Sequence, residues 1–139
     1  MSRVQLALNV SDLDAAVDFY SRLFATAPAK LRPGYANFAV ADPPLKLVLI
    51  EGDGPGATLN HLGVEVGTAA EVVTARQRLS GEGLPTTSEE GVDCCYATQD
   101  KVWVDDPDGA PWEVYTVLAD AEVMGCGAGA TTATGSHCC

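Results

Sequence analysis

Val4, Leu6, Leu8 and Val10 alternate with Gln5, Ala7 and Asn9, the period-two pattern of a strand with one apolar and one polar face. A shift of 56 residues lays residues 4–10 on residues 60–66 without a gap, with Leu6 on Leu62, Val10 on Val66 and Gln5 on His61. The register persists downstream, where Arg22-Leu23 falls on Arg78-Leu79. Such self-similarity marks a duplicated supersecondary unit, and two copies are too few for a solenoid. After each opening strand the period becomes helical. Leu13, Ala16, Val17, Tyr20, Leu23 and Phe24 carry the first helix, with Ser11 and Asp14 as its expected capping pair. Residues 69–79 carry the second, started by Thr68 and Glu71 and ended by Gly81 and Gly83.

Strands resume after each helix. Residues 35–40 and 45–51 flank the turn Asp42-Pro43-Pro44, and residues 101–105 and 112–116 flank Asp106-Pro107-Asp108-Gly109. Residues 85–99 carry no comparable period and read as a long polar loop that could move. The pattern predicts an α+β fold class, with two βαβββ-type modules at about 1–55 and 56–120 forming one domain over 1–120. Residues 121–139, rich in Gly, Ala and Thr, are expected to be a flexible tail holding Cys126, Cys138 and Cys139.

Composition narrows the functional classes. A chain of 139 residues suits one domain, and 47% apolar content argues for a globular body. The net charge of −11 argues against nucleic acid and anionic membrane surfaces as partners. No run is long enough for a transmembrane helix and the N-terminus lacks a signal-peptide pattern, so the expected location is cytoplasmic. Four of the five cysteines form adjacent pairs, which is unlike a secreted disulfide framework, so the thiols are expected to be reduced.

Two constellations carry chemistry. Cys94-Cys95 is a vicinal pair of soft ligands able to chelate a trivalent arsenical or a soft metal. Side chains of adjacent strand residues point to opposite faces, so both sulfurs converge on one atom only in a loop or bulge. A small buried hydrophobe is the other reading of such cysteines. The second constellation is Gln5, His61 and Glu113. Gln5 and His61 hold the same place in the two copies, and Glu113 shares a face of the final strand with Tyr115 and Val117. Two curved half-sheets would bring amide, imidazole and carboxylate into one cup, a mixed N/O site for a divalent first-row metal with positions left open. A histidine on a sheet face also serves as a hydrogen-bonded structural residue. Tyr35, Tyr96, Lys101 and Trp103 could line the cup, although aromatic residues on strands also serve packing and Lys101 after Asp100 also reads as a solvated turn.

The duplicated unit resembles the vicinal oxygen chelate superfamily, which includes glyoxalase I, extradiol dioxygenases and bleomycin-resistance-type proteins. More narrowly, Gln5, residues 60–66, Cys94-Cys95, residues 98–104 and residues 112–118 are similar to the organoarsenical carbon–arsenic lyases and the cadmium-inducible proteins. The resemblance implies an Fe(II)- and O2-dependent non-haem lyase that releases arsenite from methylarsenite and trivalent aromatic arsenicals. It implies that Gln5, His61 and Glu113 hold the iron and that Cys94 and Cys95 bind the arsenic. Glutamine at the first place departs from the usual two-histidine, one-carboxylate triad and should weaken iron binding. Acidic Glu89, Glu90 and Asp93 disfavour thiolate nearby, which suits a binding role better than a nucleophilic one. Two rivals remain at this stage: a non-catalytic cadmium- or soft-metal-binding resistance protein, and a glyoxalase-like or drug-binding module. A homodimer that completes the cup by exchange between chains is a further option.

Overall fold

The computed structural model describes residues 2–125, and Cys126, Cys138 and Cys139 lie outside the described residues. The chain divides into two compact units, Arg3–Asn60 and a second one from His61 onward.

In the first unit, β1 (Arg3–Val10) leads into α1 (Leu13–Leu23), followed by β2 (Lys30–Arg32), β3 (Tyr35–Val40) and β4 (Leu45–Glu51). The strands lie in the order β2-β3-β4-β1, with β1 parallel to β4 and β3 antiparallel to it. The apolar face expected for β1 packs where α1 lies: Leu6, Leu8 and Val10 join Ala16, Val17, Tyr20 and Phe24 around Leu13, Phe38, Val40, Leu47 and Leu49. The polar face is the more deeply buried of the two. Gln5 and Ala7 are buried, whereas Val4 is 49% exposed. Lys46, opposite Gln5 in register, is buried as well.

One detail of α1 corrects the sequence expectation. Its N-cap is Asp12, whose Oδ1 accepts a hydrogen bond from Ala15 N at 3.1 Å. Ser11 does not hold that position. The cap must be the extended residue directly before the first helical one, and the helix opens at Leu13. Glu51 at the end of β4 adds a second acceptor, taking Leu13 N at 2.6 Å.

The second unit repeats the plan. β5 (Thr58–Glu65), whose first residues belong to the first unit, leads into α2 (Ala69–Gly81), then β6 (Thr87–Cys94), β7 (Ala97–Asp105) and β8 (Pro111–Asp120). The order is β5-β8-β7-β6, with β5 parallel to β8 and both hairpin pairs antiparallel. Thr68 caps α2 as expected, accepting from Glu71 N. Val72, Ala75 and Leu79 of α2 pack on Val102, Val66, Val104 and Val114. Asp106 closes the β7–β8 turn by accepting from Asp108 N and Ala110 N through Oδ1.

Residues 85–99 are not the loop that their sequence suggests. Most of them form β6 and the start of β7. β6 is the edge of its sheet, so its polar residues need no buried face and leave no period-two signature. A bulge between Glu89 and Val92 disturbs the pattern further. Gly91 sits there at φ +61, and its N–H donates to Asp100 Oδ1 at 2.8 Å. The three-residue β2 is likewise an edge strand, paired antiparallel with β3. Among the described residues no helix is long and apolar enough to cross a membrane.

Candidate active site

The second unit carries a buried polar face opposite α2. Along β7, Ala97, Gln99, Lys101 and Trp103 are buried on one side, while Val102 on the other side packs against the helix. Register places Lys101 beside Tyr115 and Trp103 beside Glu113 across β8. Glu113 in turn stands beside Gly63 of β5, two residues after His61. Glycine leaves no β5 side chain directly next to the carboxylate. The imidazole of His61 therefore reaches the space in front of it.

The charged groups on this face are closely linked. Lys101 Nζ lies 2.9 Å from Glu113 Oε2, and His61 Nε2 lies 3.7 Å from Glu113 Oε1. His61 and Glu113 are 1% and 2% exposed. The Lys101 ammonium also stands over the rings of Trp103 (5.3 Å) and Tyr115 (5.9 Å). His61 meets Trp103 edge-on at 5.5 Å between centroids. Trp103 is fixed from the outside by its Nε1–H donating to Glu89 Oε1 at 2.7 Å. Lys101 is thus a buried ion-pair residue and not part of a solvated turn. The signal that could have found it is the i, i+2 run Gln99, Lys101, Trp103, which places three large polar or amphipathic side chains on one strand face.

The His61–Glu113 separation fits a shared cation. It is too long for a hydrogen bond, and two metal–ligand bonds of about 2.1 Å span at most about 4.2 Å. With Oε2 engaged by Lys101, Oε1 is the oxygen turned to the imidazole, so the carboxylate suits one-oxygen ligation. Among the described residues no three His, Cys, Asp or Glu side chains group as a metal site. The internal repeat says which positions correspond. Gln5 is the first-unit counterpart of His61, on the buried polar face of β1. The counterpart of Glu113 is Val48, since Ala7 pairs with Val48 as Gly63 pairs with Glu113. In the first unit the repeat equivalents of His61 and Glu113 are thus Gln5 and Val48.

Cys94 and Cys95 occupy the tip of the β6–β7 hairpin. Cys94 ends β6 opposite Ala97, so its side chain belongs to the same face as Gln99, Lys101 and Trp103. Cys95 and Tyr96 form the two-residue turn, with φ of 52° and 59°. Consecutive positive φ values define the tight hairpin turn that usually recruits Asn-Gly. Cysteine and tyrosine there hold roughly 1–3 kcal/mol of backbone strain each, the kind that persists at functional sites. The following segment straps this tip: Cys95 N donates to Met124 O at 2.8 Å and Ala121 N to Tyr96 O at 3.0 Å. Gly125 is required at the strap's end, because a Cβ there would lie 2.7 Å from Asp93 O. The pair is therefore on a strapped hairpin and not on a free loop. Cys94 is disulfide-bonded, contrary to the expectation of reduced thiols, while Cys95 is not.

A sequence profile for the Glyoxalase/Bleomycin resistance protein/Dioxygenase superfamily matches residues 3–114, and the chain belongs to that family. It is 59% identical over 140 residues to the trivalent organoarsenical cleaving enzyme of Thermomonospora curvata, covering all of this chain and 89% of that one. It is 66% identical over 127 residues to the cadmium-induced protein CadI of Mycobacterium tuberculosis, covering 91% of this chain and 84% of the relative. An extradiol ring-cleaving dioxygenase from B. fuscum shares the fold, with a TM-score of 0.62 at 22% identity over 88% of this chain and 34% of the dioxygenase.

Proposed function

We propose that this protein cleaves the carbon–arsenic bond of trivalent organoarsenicals such as methylarsenite and releases arsenite. The observation that carries the reading is one sheet face holding both chemistries: the buried His61–Glu113 pair and, at its hairpin end, the vicinal Cys94-Cys95. A family relative of 59% identity named for cleaving trivalent organoarsenicals supports it. In this proposal Gln5, His61 and Glu113 hold Fe(II), which with dioxygen supplies the oxidising chemistry. Lys101 pairs with Glu113 and orients its carboxylate. The aromatic rings of Trp103 and Tyr115 exclude water around that pair. Cys94 and Cys95, once reduced, bind the arsenic and leave its single organic substituent unengaged.

The second reading is sequestration of cadmium or another soft metal, favoured by the paired thiols and by the 66% identity to a cadmium-induced protein. One experiment separates the two. Protein reduced and loaded anaerobically with Fe(II) is given methylarsenite and then oxygen. The lyase yields arsenite over many turnovers and only in the presence of oxygen. Cys94→Ser and Cys95→Ser variants abolish arsenical binding yet retain iron, and His61→Ala loses the iron. Stoichiometric retention of arsenical or cadmium with no arsenite formed would establish sequestration instead.

A further inference from the structure

Gln99 Oε1 is a buried acceptor with no hydrogen-bond partner among the described residues, on a residue 2% exposed. Leaving such an atom unsatisfied is costly, so an orphan of this kind calls for a reason. Its orientation is fixed. Gln99 Nε2 donates to the Cys94 carbonyl at 2.8 Å, and turning the amide over would set two acceptors against each other. The bond lengths of an amide place Oε1 within about 5 Å of the Cys94 carbonyl oxygen. Gln99 shares its face of β7 with Ala97, the residue paired to Cys94, and with Lys101. Gln99 therefore stands on β7 between Ala97, the pairing partner of Cys94, and Lys101 of the ion pair.

Resting on the function proposed above, we infer that Gln99 Oε1 accepts a hydrogen bond from a hydroxyl on arsenic held by Cys94 and Cys95. Trivalent arsenic bound by two sulfurs has one valence left. In an organoarsenical that valence carries carbon, which donates nothing. In arsenite it carries OH. Two thiols and As(OH)3 condense to a dithiolate that keeps one As–OH, releasing two waters; arsenic stays trivalent and no electrons move. The acceptor is thus satisfied by the product and not by the substrate. It stabilises the state in which oxygen has replaced carbon, the differential binding that favours bond cleavage over substrate retention.

The test uses full-length, metal-free protein under nitrogen, with Cys126, Cys138 and Cys139 replaced by Ser so that arsenic reports on Cys94-Cys95. Replacing those three cysteines also removes the disulfide partner of Cys94, and a trialkylphosphine keeps the two remaining thiols reduced without the competing dithiol that would itself chelate arsenic. Calorimetric titrations compare arsenite with phenylarsonous acid, whose dithiolate carries no hydroxyl. Gln99→Met should weaken arsenite about three- to tenfold and leave phenylarsonous acid within about twofold, the net worth of one hydrogen bond. Equal weakening of both ligands, or of neither, overturns the inference and reduces Gln99 to an anchor for the hairpin. A second measurement needs no variant at Gln99. With 13C-labelled glutamine, the Gln99 Cδ resonance should shift on adding arsenite and not on adding phenylarsonous acid; identical responses refute the proposal. If the parent protein binds neither arsenical, the carbon–arsenic reading itself fails, a result distinct from binding to which Gln99 is indifferent.

Discussion

Replacing Lys101 by Met removes the ammonium from the centre of the buried polar face while keeping an unbranched apolar stem. Lys101 Nζ and Glu113 Oε2 are 2.9 Å apart, and both residues are 2% exposed. At an effective dielectric of about 20, two unit charges at that separation attract by about 6 kcal/mol before desolvation is subtracted. The net worth of the pair is smaller, but removing one partner leaves the other charge buried, which costs about 3–5 kcal/mol. For a domain of this size that is a fall in Tm of roughly 10–15 °C. Glu113→Gln alone should lose a similar amount. The double variant Lys101→Met/Glu113→Gln should lose much less than the two together, with a coupling of at least about 2 kcal/mol. Urea unfolding of the four proteins, read by tryptophan fluorescence, measures the cycle. Additivity within about 0.5 kcal/mol, or a loss below about 1 kcal/mol in Lys101→Met, would refute the reasoning that this pair bears a buried charge.

Two smaller perturbations check the corrections made to the sequence reading. Asp12→Ala should destabilise the protein by about 1 kcal/mol while Ser11→Ala stays within about 0.5 kcal/mol; thermal unfolding in which Ser11→Ala shows the larger loss would return the cap to Ser11. Gly91→Ala should cost about 1–2 kcal/mol, because φ is +61 and no atom stands within 4 Å of the added Cβ, so backbone strain is the sole contribution. A neutral result there by urea unfolding would mean that the β6 bulge is not held by its glycine.

Most of the secondary structure was legible because burial imposes a period. β3 and β4 run over the residues expected, and α2 begins at Ala69 after the Thr68 cap, since each packs one apolar face on a core. The duplication was legible for the same reason: both copies must bury one strand face under one helix. What stayed illegible were the elements without such a face. β2 and β6 are edge strands whose pairing is carried by backbone groups, and backbone groups are the same in every residue. The β7 extension back to Ala97 exists because it pairs with β6 on one side and with the β8 extension to Asp120 on the other.

The site divides along the same line. By itself the sequence singled out the candidate residues: a repeat that equates Gln5 with His61, a glutamate on the last strand, and a vicinal cysteine pair. Those are properties of residue type and spacing. The tertiary structure alone decided how the second unit's polar residues are used. It turned Lys101 inward onto Glu113, drew His61 to 3.7 Å from that carboxylate, placed Cys95 and Tyr96 in a strained turn, and left Gln99 Oε1 unsatisfied. Each of these depends on strand register between segments distant in the chain. A shift of one residue would send Lys101 to the opposite face, so no local pattern could have specified the pair.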